Sequence, residues 1–407
     1  MTVLGAPASV ATSPVPASAV SPTGAAPATD PIPATEPILT VDLSALRRNY
    51  GRLADHVAPA ACAAVVKADA YGLGAVPVVR ALVEAGCRAF FVGTLAEGLE
   101  IAPTVPPDGT VYLLNGLVPG TEAAAARTGL VPVLNSAAQA AAWSATAARQ
   151  GRRLRAALQV DTGIGRAGLT TAEIGAAAAQ TAGPGTWHAG LAIELVVSQL
   201  ACAEEADRLV SNRQLRKLQR LRRHLPGIPL SLANSEGLFA SRRFHLDMVR
   251  SGGALFGMPP SGAAAFPLEP VVRLEAPIVQ IRAIRTGDTV GYGRALIARR
   301  PMRIATLAIG FANGLPIAAA GTARAWLGAA AVPFVGSVSM DTSVVDLSAV
   351  PAAAARPGET VEILGPGQSV DALAAVTGVL RDDLQIRLGR GNRRVHVEGG
   401  GGETERR

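Results

Sequence analysis

Lysine is nearly absent from this chain. Of 38 basic Lys and Arg residues in 407, only Lys67 and Lys217 are lysine. Arg serves wherever a positive charge suffices, so a retained Lys points to work that a guanidinium cannot do. Cysteine is equally scarce. Cys62, Cys87 and Cys202 form no CxxC pair and no metal-ligand spacing with the five histidines. They read as small buried residues of a reducing, cytoplasmic compartment, with no metal site. Aromatics make up 4% of the chain and are not interleaved with its most basic stretch, Arg213 to Arg223. Leu215, Leu218 and Leu221 recur there at helical spacing. The arginines therefore read as the solvated face of a helix, not a nucleic-acid surface. The net charge of +7 is spread along the chain. No long apolar run occurs: the most apolar window, Leu191 to Ala203, contains Glu194, Ser198 and Gln199 and is too short to cross a bilayer. Residues 1–37 carry no Lys or Arg and several prolines, so they are not expected to act as a secretory leader. Their Ala, Pro, Ser and Thr show no period, and a disordered extension is expected.

From Ile38 onward short apolar runs alternate with longer helical stretches. Eight strands are expected at Ala63–Val66, Ala89–Val92, Val111–Leu114, Val131–Leu134, Ala156–Val160, Leu191–Val197, Pro229–Ala233 and Met248–Val249. The spacing leaves room for a crossover helix after each, which predicts an α/β fold: a (β/α)8 TIM-like barrel over 38–268. After Glu269 the texture changes. Val271 to Ala295 alternates as long strands around a turn at Thr286-Gly287-Asp288. Further runs follow at Arg303–Ile309, Val332–Val338, Ser343–Leu347 and Thr360–Leu364. This predicts a C-terminal all-β domain over 269–400 and a tail over 401–407.

In such a barrel the C-terminal strand ends face the active site. Lys67 stands at one of them, in AVVKADAYGLG (Ala64 to Gly74). A desolvated amine can deprotonate and condense with an aldehyde. A strand-end lysine also suits a solvent-exposed position, but the Tyr-Gly-x-Gly that follows fits close backbone approach at a ligand. Arg250, in Asp247-Met248-Val249-Arg250-Ser251-Gly252-Gly253, can only donate hydrogen bonds. Facing a pyridine nitrogen it would keep that nitrogen unprotonated. The amides of Gly252 and Gly253, with Asn234 and Ser235 one strand earlier, suit a phosphate. Arg166, in Asp161-Thr162-Gly163-Ile164-Gly165-Arg166, can grip a carboxylate with two prongs. Two motifs lie in the β domain: Tyr292 between two glycines, in Val290-Gly291-Tyr292-Gly293-Arg294, and Ser339-Met340-Asp341 at the end of an apolar run.

In this order the segments resemble the alanine racemase family, from about Ile38 to the C-terminal region. AVVKADAYGLG is the most specific of them, and DTGIGR, DMVRSG, VGYGR and SMDTSVVDL follow in sequence. The resemblance implies interconversion of L- and D-alanine with pyridoxal 5′-phosphate as cofactor, supplying D-alanine for peptidoglycan. It implies that Lys67 holds the cofactor as a Schiff base and serves as the base on the D-face. Tyr292, contributed by the partner subunit of a homodimer, would act on the L-face. Arg166 and the backbone amide of Met340 would hold the substrate carboxylate, with Asp341 supporting. Tyr71, Ser235, Gly252 and Gly253 would hold the phosphate, and Arg250 would face the pyridine nitrogen.

Three places depart from the family pattern. Gln199 replaces a histidine that lies against the cofactor ring, and it cannot carry charge or share a proton. Gln159 replaces a lysine whose carbamylated form orients the arginine. No tyrosine completes the phosphate site between Leu388 and Val397, where Arg390 or Asn392 stands nearby. Other readings remain open on sequence alone. A racemase of another amino acid, such as serine, has the same motifs. A non-catalytic cofactor-binding protein would lack the β domain. A decarboxylase of this architecture would carry a cysteine in it, and none follows Cys202.

Overall fold

The computed structural model describes residues 35–179, 190–260, 263 and 265–399. Of the expected disordered extension over 1–37, residues 1–34 lie outside the described residues, and so does the whole of the expected tail over 401–407.

The first strand, β1 (Ile38–Asp42), alternates between buried and half-buried positions. Two-faced strands suit antiparallel sheets. β1 pairs antiparallel with β10 (Val272–Ile284), Ile38 opposite Glu275, far along the chain. The expected barrel span from residue 38 thus opens with a strand that pairs in the other sheet. Asp42 then caps a helix, Leu43–Val57, by accepting the Ala45 amide at 2.9 Å. Leu46, Asn49, Tyr50, Leu53 and Val57 turn one face of this helix inward at intervals of three and four.

The barrel follows. Its strands are β2 (Ala61–Val65), β3 (Ala89–Val92), β4 (Thr110–Leu113), β5 (Val131–Leu134), β6 (Leu154–Gln159), β7 (Leu191–Val197), β8 (Leu230–Ser231) and β9 (Met248–Ser251). All neighbours pair in parallel, and β9 closes onto β2 with Cys62 opposite Val249. These strands coincide with the eight expected runs. Most are buried on both faces, which is why they read as continuous apolar stretches.

The C-terminal sheet contains β10, then β13 (Met302–Leu307), β14 (Arg324–Leu327), β15 (Ala330–Val335), β16 (Ser343–Asp346), β17 (Thr360–Leu364) and β18 (Arg393–Val397), with β1 between β10 and β18. β10 ends at Ile284, just before the expected turn at Thr286-Gly287-Asp288, and the strand expected after that turn is short. A small hairpin of β11 (Thr289–Val290) and β12 (Leu296–Ile297) presents Tyr292 between its arms. The domain also has two helices the strand pattern did not announce, Val370–Thr377 and Arg381–Gly391. The first has buried Val370, Leu373, Ala374 and Thr377 at helical spacing in a stretch the strand reading passed over.

Candidate active site

β2 is followed by Val66, whose amide bonds the Phe91 carbonyl at 2.9 Å. The chain then turns left-handed. Ala68, Asp69, Ala70 and Tyr71 have φ of 55°, 59°, 51° and 58°. Each non-glycine residue in that conformation costs about 1–2 kcal/mol, so the surroundings must over-determine it. They do so with side chains and with backbone. Glu97 accepts the Ala68 amide at 3.0 Å and the Gly93 amide at 2.6 Å. Asp69 accepts the Ala75 amide at 2.7 Å and pairs with Arg394 of β18. Arg394 also donates to the Gly72 carbonyl at 2.9 Å, and His396 Nε2 lies 2.7 Å from the Leu73 carbonyl. A Cβ on Gly72 would stand 2.8 Å from the Ile386 carbonyl. The close approach expected at Tyr-Gly-x-Gly is therefore made by the last helix and strand of this same chain. Lys67 leads this turn, exposed at the rim of a cavity of about 740 Å³.

Arg250, on the neighbouring strand β9 with Ala63 as its partner in β2, lines the same cavity and is only 4% exposed. It donates to Ser231 Oγ at 2.6 Å, the Ser198 carbonyl at 2.7 Å and Gln199 Oε1 at 2.9 Å. Three of its five donors are thereby used and two remain. None of its partners is charged. Burial pushes its pKa down to about 10, so it stays cationic at neutral pH. Phe91 lies with its ring centroid 6.0 Å from the guanidinium carbon.

Gly252 and Gly253 follow Arg250. A Cβ on Gly252 would collide with the Tyr71 hydroxyl, so the bare backbone is required there. Ser235 accepts the Gly252 amide at 2.9 Å, which leaves its own proton to donate. Asn234 orients Ser235 by capping its helix, accepting the Gly237 amide at 3.0 Å. Tyr71 is buried, and burial raises its pKa, so it is a neutral donor. Its hydroxyl bonds no described residue.

Asp161 organises the third wall. Its Oδ1 accepts three amides, of Gly163 at 2.8 Å, Ile164 at 3.0 Å and Gly165 at 3.2 Å. That fold of the loop delivers Arg166 to the cavity. Thr162, buried beneath, meets Ser198 Oγ at 2.8 Å, and Lys217 donates to its carbonyl at 3.1 Å. The second lysine of the chain is thus a brace for this loop. Gln159 lines the same wall, yet neither its side chain nor Arg166 bonds a described residue.

Ten of the expected residues share this cavity: Lys67, Tyr71, Gln159, Arg166, Gln199, Asn234, Ser235, Arg250, Gly252 and Gly253. Tyr292, Met340 and Asp341 do not line it. They gather on the β domain instead, where the Tyr292 amide bonds Ser337 Oγ at 3.0 Å and the Met340 carbonyl accepts the Ala312 amide at 2.8 Å. Tyr292 is 80% exposed and Met340 61%. Sequence reasoning missed Asn115 and Asn135 on the cavity wall. Both are polar residues directly after an apolar run, the same signal that marked Lys67. It also looked too late in the chain for the C-terminal contribution. Arg390 and Asn392 do not line the cavity. Arg381 and Asp382, in the first turn of the last helix, do.

Comparison with known proteins agrees with this geometry. Residues 41–260 match the family model for the alanine racemase N-terminal domain, and residues 271–396 that for its C-terminal domain. An alanine racemase of Brucella abortus is 41% identical over 380 residues, 90% of this chain and 95% of its own. A catabolic alanine racemase of Mesorhizobium japonicum is 42% identical, covering 89% of this chain and 93% of that protein. The crystal structure of the Bartonella henselae alanine racemase, with covalently bound pyridoxal phosphate, superposes with a TM-score of 0.83 at 35% identity, over 89% of this chain and 99% of that one. The biosynthetic enzyme of Pseudomonas aeruginosa gives 0.79 at 34%, over the same shares of the two chains. Both halves match in order and over nearly their whole length, and the chain belongs to the alanine racemase family.

Proposed function

We propose that this pyridoxal phosphate-dependent racemase interconverts L- and D-alanine with Lys67 and the partner subunit's Tyr292 as its two proton-transfer groups. The observation that carries the reading is the cavity itself. One lysine at a strand end shares the cavity with a buried arginine that has no charged partner and with a bare glycine backbone. That donor set fits a phosphorylated pyridine aldehyde: amine for the carbonyl, donors for the ring nitrogen, and amides and hydroxyls for the phosphate.

When bound, the cofactor supplies an electron sink that lowers the cost of removing the proton from the substrate Cα. Arg250 directs a remaining donor at the ring nitrogen and keeps it unprotonated. Gln199 and Ser231 hold that guanidinium in place. Tyr71 and Ser235 donate to the phosphate beside the Gly252 and Gly253 amides. Arg166 holds the substrate carboxylate from its Asp161-anchored loop, with Gln159 beside it. Inversion needs a proton donor and acceptor on each side of Cα. Lys67 is one, its amine moving the proton on the D-face. Tyr292 moves it on the L-face. Because Tyr292 points to solvent on its own chain, we infer a homodimer in which each β domain offers Tyr292, with Met340 and Asp341 beside it, to the other subunit's cavity.

Two enantiomers have equal free energy in water, so the protein drives neither direction. We propose that demand for D-alanine in peptidoglycan sets the flux, in the cytoplasm, where the buried free thiols of Cys62 and Cys87 stay reduced. No helix among the described residues is long and apolar enough to cross a membrane. The test is incubation of the cofactor-loaded protein with L-alanine, following D-alanine by chiral chromatography. Wild type should produce it. Lys67→Ala should produce none and should lose the cofactor that borohydride otherwise fixes to the chain. A wild type that racemises serine and not alanine would replace the substrate but keep the chemistry.

A further inference from the structure

The phosphate end of the cavity has an unusual charge. Asp382 Oδ1 stands 3.5 Å from the point a Cβ on Gly253 would occupy, and Asp382 and Glu236 both line the cavity there. The nearby cation, Arg381, is already committed. Its guanidinium pairs with Glu236, meets Asp371 at 3.2 Å and donates to the Pro259 carbonyl at 2.6 Å. Asp382 touches it only at 3.9 Å, and no other ion pair of Asp382 occurs among the described residues. Lys67 lies near enough to attract Asp382, but its amine is assigned to the carbonyl end of the cofactor. A phosphate dianion seated on Gly253 would therefore meet a carboxylate with no free cation between them.

We propose that Asp382 and the cofactor phosphate share one proton, so that the protein takes up a proton from solvent as it binds its cofactor. The inference rests on the pyridoxal phosphate reading above. Dianion and carboxylate together carry three negative charges. One proton held between a carboxylate oxygen and a phosphate oxygen leaves two, as a short charge-assisted hydrogen bond. No other bond forms or breaks.

The groups facing Asp382 oppose one another, and the sum favours a proton. Burial raises its pKa, Arg381 and Lys67 oppose that, Asp371 adds to it, and the balance is upward. Glu236, at the same end of the cavity, is paired with Arg381, and Tyr71 is a neutral donor that does not compete for the proton. The second ionisation of a phosphate ester lies at about 6, so below that pH the free cofactor already carries the proton. Above it, the proton must come from solvent, and the Asp382 contribution weakens binding up to about tenfold per pH unit until the shared proton itself dissociates.

The probe is pyridoxine 5′-phosphate, which has the ring and the phosphate but no carbonyl to react with Lys67. It is titrated calorimetrically at pH 8 into the full chain freed of cofactor, in two buffers of different ionisation heat, to count protons. Ring-nitrogen and Arg250 effects are common to wild type and Asp382→Asn, so the difference isolates Asp382. Wild type should take up about one proton more than Asp382→Asn, whose amide donates to the dianion directly. Asp382→Ser, which also lacks the carboxylate, should give the same difference and guards against a folding defect in either variant. Equal proton counts overturn the proposal. If counts are equal while borohydride still fixes pyridoxal phosphate to Lys67, only this inference falls. If neither ligand binds, the cofactor reading falls with it.

Discussion

The barrel mouth and the Tyr292 surface, the two halves of the proposed reaction, stand under opposite conditions. Around Arg250 the side chains are buried and their bonds are satisfied within the chain, by Ser231, Ser198 and Gln199. Around Tyr292 the backbone is fixed, by the bond from its amide to Ser337 at 3.0 Å, while the side chain has no neighbour to act on. Phe311, whose amide bonds the Ser339 carbonyl at 2.9 Å, adds a third large exposed side chain to Tyr292 and Met340. An exposed apolar cluster beside a reactive group is what a surface awaiting a partner looks like. In the dimer proposed above, the cavity would bind and position within one chain, and the partner subunit would bring the second proton-transfer group to it.

Breaking that division should have the largest effect. Tyr292→Phe keeps the ring and removes only the hydroxyl. Racemisation should fall by about 10²–10⁴-fold, the usual worth of a positioned acid or base, while borohydride fixation of the cofactor stays at the wild-type level. Exchange of the D-alanine α-proton with deuterated solvent should continue, since Lys67 still serves that face. The sharper experiment mixes inactive Lys67→Ala with inactive Tyr292→Phe after unfolding and refolding together. A mixed dimer would have one cavity with both groups intact, so activity should return. If none returns although mixed dimers form, both groups belong to the same chain and the division proposed here is wrong.

The two regions also differed in how plainly they could be read from sequence. Barrel strands are buried on both faces, so their apolar runs announced themselves, and polar residues at their ends marked Lys67, Arg250 and Arg166. Asn115 and Asn135 carry the same mark and were passed over because an amide suggests no chemistry by itself. β1 was harder, because its alternation fits a strand but says nothing about which sheet it joins. Its partners, β10 and β18, lie more than 200 residues away. Asp382 was unreadable as a cavity residue. It sits on a polar stretch, Arg381-Asp382-Asp383, that looks like any charged first turn of a helix, and only tertiary packing brings that turn to the cavity, where Asp382 lines it while still exposed.

A smaller effect should follow from cutting the tie between the domains at Lys67. Arg394 reaches from β18 to Asp69 and to the Gly72 carbonyl, holding a turn that four left-handed residues make costly. Hydrogen bonds to charged groups contribute about 1.5–3 kcal/mol when partly buried, so Arg394→Ala should lower stability by that order. Its more telling consequence is at Lys67. A loosened turn should lower kcat more than it raises KM for alanine and should shift the visible absorption of the bound cofactor. Arg394→Lys, which keeps the charge but not the fork, should recover the stability better than the rate. A variant that loses stability but keeps kcat and spectrum would make Arg394 a structural tie only.

The smallest effect belongs to the loop that carries Arg166, because Arg166 is exposed and its proposed role is on substrate, not on the cofactor. Asp161 is the anchor of that loop. Burial works to raise its pKa, and the amides of Gly163, Gly165 and Ile164, with Lys217 nearby, outweigh it, so the carboxyl titrates below its ordinary value. A depressed value in the folded chain means the anchor is complete above pH about 4 and weakens only as pH falls through the depressed value. Across the neutral range, then, Asp161 should add no pH dependence to KM. Asp161→Asn keeps one acceptor oxygen without its charge, and KM for alanine should rise several-fold, on the order of one hydrogen bond of about 1 kcal/mol, with kcat nearly unchanged. Steady-state kinetics from both enantiomers would decide it. An equal fall in kcat and kcat/KM would mean that Arg166 tightens only as the proton is being moved, and would place the loop with the barrel mouth as part of the chemical step.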